Sequence, residues 1–159
     1  MIDIHCHILP GFDDGSDNIE ESVRMARLAV DGGTTAIIAT PHSNIPDKYD
    51  NYFGKAYVEA FKALDARLKQ ENIPLKLYPG HEVFAASDFI ELIKKKRLLT
   101  LCNSQYPLVE FALKERSESI YRKLELITAE GLTPIIAHPE RYAFIAADPA
   151  APLRLKKMG

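Results

Sequence analysis

Short apolar runs alternate with longer amphipathic stretches along most of this chain of 159 residues. Five runs have the length and composition of buried strands, and they cover residues 1–9, 35–40, 75–78, 107–112 and 134–138. Helical spacing of apolar residues begins near 17, 52, 88 and 119, and a further helix is predicted near Ala151. Strands that alternate with helices pair in parallel, so the sequence predicts an α/β protein with an open or barrel-like sheet.

Capping residues mark the ends of the first helix. Asp17 and Glu20 have the spacing of a capping box, and Gly32 and Gly33 follow the last apolar residue of the stripe. The first predicted unit is therefore a strand followed by a helix that ends at these glycines.

Composition excludes several classes of protein. The formal net charge of -2 gives no bias toward nucleic acid or anionic membranes. Cys6 and Cys102 are too few for a disulfide framework, and neither a basic-then-apolar leader nor a long apolar span is present. We therefore expect a cytoplasmic protein with no membrane insertion and no nucleic-acid partner.

Polar side chains collect where the predicted strands end. Because the carboxyl ends of parallel strands meet at one face of a barrel, residues scattered along the chain are expected to converge there. The strand period of two places Asp3 on the barrel face with the strand-one histidines and turns Cys6 toward the helices. His81 is expected to be structural or to support its neighbours. The converging residues are His5, His7, His42, Glu82, Glu110 and His138.

Each of these residues taken singly has a simpler explanation as a structural hydrogen-bonding or ion-pairing group. Together, imidazoles and carboxylates suit two or three divalent ions such as manganese, iron or zinc, and such centres hydrolyse phosphoesters. Arg141 follows His138 by three residues, and its planar guanidinium matches a phosphate dianion. A surface salt bridge with Glu140 is equally compatible with that spacing.

A cysteine-based phosphatase is excluded by counting. Its C-x5-R loop requires an arginine six residues after the cysteine, but those positions hold Phe12 and Leu108. No phosphocysteine intermediate is therefore expected.

Five segments of the chain together resemble the PHP (polymerase and histidinol phosphatase) superfamily. They read MIDIHCHILPGFDDG, TPHSN, GHEVF, PLVEFA and IAHPERY, in order from residue 1 to about residue 145. Within the superfamily they are most similar to the bacterial manganese-dependent protein-tyrosine phosphatases of capsular and exopolysaccharide operons.

The resemblance implies a PHP-type distorted (β/α)7 barrel, of which this chain covers about the first five β/α units. It also implies up to three bound ions, manganese foremost, with iron, zinc, cobalt or magnesium as alternatives. Arg141 corresponds to a phosphate-binding arginine in the catalytic site. The ligands implied are His5, His7, Asp14, His42, Glu82, Glu110 and His138.

The activity implied is cytoplasmic hydrolysis of phosphotyrosine on a bacterial tyrosine autokinase that regulates capsular or exopolysaccharide synthesis. The family's late D-x-H ligand pair and second arginine have no counterpart after His138, where Asp148 is the one acidic residue beyond Glu140. We therefore expect residues 1–159 to be a single PHP phosphatase domain that is truncated at its C-terminus, holds fewer than three ions, and is either a homo-oligomer or supplemented by other structure.

Three alternatives stay open at the level of sequence. A PHP phosphatase for a small phosphomonoester would share the ligands, and a metal-dependent amidohydrolase would need a lysine or late aspartate that is not identified. A truncated, non-catalytic metal-binding domain is the third.

Overall fold

The computed structural model describes residues 1–158 as alternating strands and helices, with every predicted element present. The strands are β1 (Ile2–Cys6), β2 (Ala36–Ala39), β3 (His42–Ser43), β4 (Lys76–Pro79), β5 (Glu82–Phe84), β6 (Leu108–Glu110) and β7 (Ile135–Ile136). The α-helices are α1 (Ile19–Asp31), α2 (Lys55–Gln70), α3 (Phe89–Lys94), α4 (Ser117–Ala129), α5 (Ala143–Ala147) and α6 (Ala151–Lys156). Short 3-10 turns cover Leu101–Asn103 and Pro139–Arg141.

All strand pairs are parallel, and they form two sheets with the orders β1-β2-β4 and β3-β5-β6-β7. The predicted strands 35–40 and 75–78 are each followed, after a bend at Thr40–Pro41 or at Gly80–His81, by a further short strand that the sequence did not predict. Proline lacks the N–H that a ladder needs, and at the second bend the Tyr57 hydroxyl bonds both Gly80 N and Gly80 O, at 3.1 and 3.0 Å. The bends carry His42 and Glu82 into the second sheet, directly opposite each other.

Apolar side chains fill three layers around these sheets. Ile37 and Leu64 belong to the cluster under α1 and α2, and Val109 and Leu124 belong to the cluster under α3 and α4. A smaller cluster around Ile38, with Leu101, Leu108 and Ala137, lies between the two sheets. The helices therefore cover the outer face of the sheets, and the small cluster around Ile38 packs on their inner face.

Strand β1 contains an irregularity that changes which face its residues occupy. Its pairing shifts between Asp3, opposite Ile37, and Cys6, opposite Ala39, so β1 has one more residue than β2 over this span. Ile37 and Ala39 both pack in the cluster under α1 and α2. The prediction that Asp3 shares the barrel face with the histidines was wrong because a strict period of two ignores the extra residue.

The capping of α1 also differs by one residue from the prediction. Asn18, not Asp17, is the N-cap: its Oδ1 accepts from Glu21 N at 3.0 Å. Glu21 Oε2, not that of Glu20, reaches back to the N–H of Asp17 at 3.0 Å. The helix ends at Gly32 as predicted.

Part of the inner face is open to solvent within residues 1–158. Strands β1 and β7 each pair on one side only, and Ile2, Ile4 and Tyr78 are 64%, 40% and 40% exposed. Exposed apolar side chains and unpaired strand edges favour self-association. That the domain is truncated and that the chain forms a homo-oligomer remain predictions. No helix among these residues is long and apolar enough to cross a membrane.

Candidate metal centre

The buried carboxylate of Glu82 lies among four imidazoles at the carboxyl ends of the strands. Its Oε2 atom is 3.0 Å from His5 Nε2, 3.2 Å from His7 Nε2 and 3.1 Å from His42 Nδ1. Its Oε1 atom is 2.8 Å from His138 Nε2. His5 on β1 and Glu82 on β5 are 77 positions apart in the sequence, yet their side chains meet at this site.

Glu110 and Asp14 extend this cluster on either side of His42. Glu110 Oε1 is 2.8 Å from His42 Nδ1, and Asp14 Oδ1 is 3.5 Å from His42 Nε2. The Asp14 side chain is 57% exposed, so it lies at the mouth of the site. All seven predicted ligand residues are therefore in one connected group.

Three sets of donor atoms lie within 4.8 Å of one another, close enough to share a cation. The sets overlap at single residues, which is the arrangement expected where neighbouring ions share a ligand. They are His5, His7 and Glu82; His7, Asp14 and His42; and His42, Glu82 and Glu110.

Asp13 is the residue that sequence reasoning missed. Its Oδ2 atom is 2.6 Å from His7 Nδ1 and accepts from His42 N at 2.7 Å, while Oδ1 accepts from Gly15 N at 3.0 Å. An ionised carboxylate only accepts, so His7 Nδ1 carries a hydrogen toward Asp13, and Nε2 is the ring nitrogen that faces the cluster, where a bound cation would take the place of its proton. The paired aspartates after the first strand were the available signal.

Charge compensation dominates the electrostatics of the cluster. Burial alone would lower the pKa of His7, but the hydrogen bond with Asp13 and the nearby Glu82 carboxylate outweigh it and raise that pKa to about 10. Burial likewise opposes the raised pKa of His42, which the hydrogen bond and charge of Glu110 produce. Despite its burial, Glu82 has a lowered pKa because the imidazoles of His5 and His7 lie beside it and favour its charged form. The cluster therefore holds fixed negative charge that attracts cations.

The unsatisfied atoms of the cluster fit a metal site. Glu82 Oε2 and His138 Nδ1 are buried without a hydrogen-bond partner among the described residues. The Nε2 atoms of His5 and His7 lie 3.2 Å from each other, and both lie within 3.2 Å of Glu82 Oε2. Two imidazole nitrogens and a carboxylate oxygen that converge in this way form a donor set that a divalent cation would bind in place of the imidazole protons.

Arg141 lies one 3-10 turn beyond His138, with Arg141 N donating to His138 O at 3.0 Å. His138 itself has a left-handed backbone, with φ 32° and ψ 57°, a conformation that a non-glycine residue adopts at a cost. Arg141 is exposed and forms no ion pair within residues 1–158, so the salt bridge with Glu140 is not formed. Its guanidinium is available to a ligand.

His81 and the two cysteines stay outside the cluster. His81 is fully buried, its Nδ1 accepts from Leu99 N at 2.9 Å, and burial lowers its pKa to about 3. Cys6 packs with the cluster under α1 and α2, where burial and then the charges of Asp3 and Asp13 raise its pKa to about 12. His81 is thus structural, and Cys6 faces the helices, as predicted.

The family model for capsular polysaccharide synthesis, CpsB/CapC, matches residues 1–159. The chain is 40% identical to the tyrosine-protein phosphatase YwqE of Bacillus subtilis, with 100% of this chain and 62% of that protein covered. It is 33% identical to the tyrosine-protein phosphatase CpsB of Streptococcus pneumoniae, with 89% of this chain and 58% of that protein covered. The chain therefore spans about three-fifths of the length of these curated relatives.

A solved structure matches with a TM-score of 0.90 at 39% identity, over 100% of this chain and 64% of that chain. It comes from work on YwqE from Bacillus subtilis and CpsB from Streptococcus pneumoniae, described there as metal-dependent tyrosine phosphatases. The match confirms the predicted α/β class and its PHP-type arrangement.

We expect Gly15→Ala to displace His7 and weaken metal binding. An added Cβ would lie 2.2 Å from His7 O and 2.3 Å from His7 Cβ, so the turn that holds Asp13 must shift. The overpacking should also lower the free energy of unfolding by about 1–3 kcal/mol. Thermal unfolding and bound manganese, measured by mass spectrometry, would show both effects.

Gly32→Ala is the matched control, since its Cβ meets Ala29 O and Leu28 O at an ordinary 3.4 Å and its φ is -78°. That variant should keep the stability and metal content of the unchanged protein. Normal metal content in Gly15→Ala would show that the turn does not place His7.

Proposed function

Because this chain belongs to the capsular polysaccharide synthesis CpsB/CapC family, we propose that it acts as a metal-dependent protein-tyrosine phosphatase. The observation that carries the proposal is the buried Glu82 carboxylate among four imidazoles, beside an exposed and unpaired Arg141. The names of the relatives give the reaction class. The cluster supports the same chemistry from the residues themselves.

The proposed metal ligands are the seven residues that the sequence predicted, and the proposed ion is manganese, in up to three positions. Bound divalent ions supply Lewis-acid activation of water and neutralise phosphoryl charge. The ligands are His5, His7, Asp14, His42, Glu82, Glu110 and His138.

The residues of the chain divide the remaining work. Asp13 holds His7 in the tautomer whose Nε2 faces the site. Arg141 binds the non-bridging oxygens of the phosphoryl group through its planar donors and stabilises the charge of the transition state. Tyrosinate leaves with a pKa of about 10, so little general-acid help is needed.

The proposed substrate is phosphotyrosine on a bacterial tyrosine autokinase that regulates capsular or exopolysaccharide synthesis, and the proposed location is the cytoplasm. A thiol mechanism is not part of the proposal. Burial raises the pKa of both cysteine thiols, and Cys6 faces away from the cluster.

Chelation should abolish hydrolysis of a phosphotyrosine peptide by the full-length protein, and added manganese should restore it. The reason is that the cluster offers imidazole and carboxylate ligands but no nucleophile of its own. The assay compares rates with chelator, after readdition of each divalent ion, and in Cys6→Ser, which should stay active. Undiminished activity in chelator, or turnover of histidinol phosphate alone, would contradict the proposal.

Arg141→Ala should keep its metal and lose kcat/KM by about 100-fold, on the order of 3 kcal/mol. His42→Ala and Glu110→Ala should instead lose metal and activity together, because each removes a ligand. Metal content and phosphotyrosine turnover measured on the same samples separate the two classes. Arg122→Ala, on the exposed side of α4, is the matched control and should change neither quantity.

A further inference from the structure

A strained loop at residues 44–52 lies between β3 and α2, beside the mouth of the metal centre. Three of its residues that are not glycine have positive φ: Asn44 at 66°, Asp47 at 59° and Asn51 at 39°. Such conformations persist where the surrounding structure fixes them, and they cluster at functional sites. The loop therefore has a shape that its contacts must maintain.

Several hydrogen bonds fix this loop against the site. Asn51 Nδ2 donates to Phe12 O at 2.7 Å and to His42 O at 2.9 Å. Ile45 and Tyr49 exchange backbone hydrogen bonds of 2.9 and 3.0 Å across the turn. These hydrogen bonds therefore hold the His42 backbone and the loop tip in fixed positions relative to each other.

The tip of the loop presents one aromatic ring and one cation. The half-buried Tyr49 ring stacks parallel on the His42 imidazole, with centroids 5.7 Å apart and planes 2° from parallel. Lys48 Nζ is 3.8 Å from Asp14 Oδ2 and 4.6 Å from the Tyr49 centroid. The Lys48 side chain is 57% exposed, so this ion pair is weakly held and its ammonium can turn to another anion.

We propose that Lys48 and Tyr49 form the recognition surface for the aryl phosphate of phosphotyrosine, an inference that rests on the proposed function. Tyr49 packs against the substrate ring, because aromatic rings favour offset or edge contacts with each other. Lys48 binds the phosphate as a point charge, from the side where Asp14 lies. Tyr49 thereby sets a preference for aryl over alkyl phosphates, whereas Lys48 strengthens the binding of both kinds of phosphate.

Binding, measured without turnover, tests this inference. The probes are a phosphonomethyl-phenylalanine peptide, which cannot be hydrolysed, and inorganic phosphate, each titrated calorimetrically into the manganese-loaded full-length protein. Tyr49→Leu should weaken the peptide about fivefold and leave inorganic phosphate unchanged. Lys48→Met should weaken both probes by a similar factor, and metal content should be unchanged in both variants.

Matched variants on the opposite edge of the sheets serve as controls. Tyr106→Leu and Lys76→Met remove an exposed ring and an exposed cation near the amino ends of β6 and β4, and neither should change binding. Tyr49→Phe keeps the ring and should bind both probes normally.

Equal peptide binding by Tyr49→Leu and the unchanged protein would overturn the inference, as would a Tyr49→Leu loss of the same size for both probes. Hydrolysis of the phosphotyrosine peptide by the unchanged protein is measured separately. Lack of that hydrolysis would count against the proposed function. The role of the loop is decided separately, by how the variants change the affinity for the peptide relative to the affinity for inorganic phosphate.

Discussion

The buried Glu82 carboxylate is the group on which the rest of the site depends. It is fully buried, yet the imidazoles of His5 and His7 beside it keep its pKa low. A buried charge is costly unless partners compensate it, and here four imidazole nitrogens lie within 3.2 Å of its two oxygens. Placing four histidines around one carboxylate requires residues on or just after β1, β3, β5 and β7 to meet at the same face, which parallel strands achieve.

Departures from regular strand geometry place the individual side chains. The extra residue of β1 turns Asp3 toward the helices while the histidines face the site. At the Gly80 bend, the Tyr57 hydroxyl replaces lost ladder bonds, and the chain resumes with Glu82 opposite His42. The left-handed backbone of His138 turns the chain directly into the segment that carries Arg141. Irregular backbone is thus concentrated beside the clustered histidines and Glu82.

The sequence predicted that the histidines and carboxylates converge, because convergence depends only on the order of the parallel strands and on the residues at their carboxyl ends. It could not count the extra residue in β1, so Asp3 was placed on the wrong face, and it could not tell Asp13 from Asp14. Those neighbours have opposite roles, since one carboxylate is buried against His7 and the other is 57% exposed at the mouth. Neighbouring residues that can cap a helix also differ little in energy, which is why the sequence did not distinguish Asp17 from Asn18, the residue that caps α1. The resemblance contributed two expectations that spacing cannot give: that Asp14 is a metal ligand, and that the reaction is hydrolysis of phosphotyrosine.

The central claim is that Glu82 and its surrounding histidines bind divalent metal. Anomalous diffraction from crystals of the full-length protein grown with manganese, recorded above and below the manganese absorption edge, tests it most directly. The predicted result is anomalous density in contact with Glu82 and at least two of the four histidines. Anomalous peaks that lie away from Glu82, or no peak at saturating manganese, would contradict the claim.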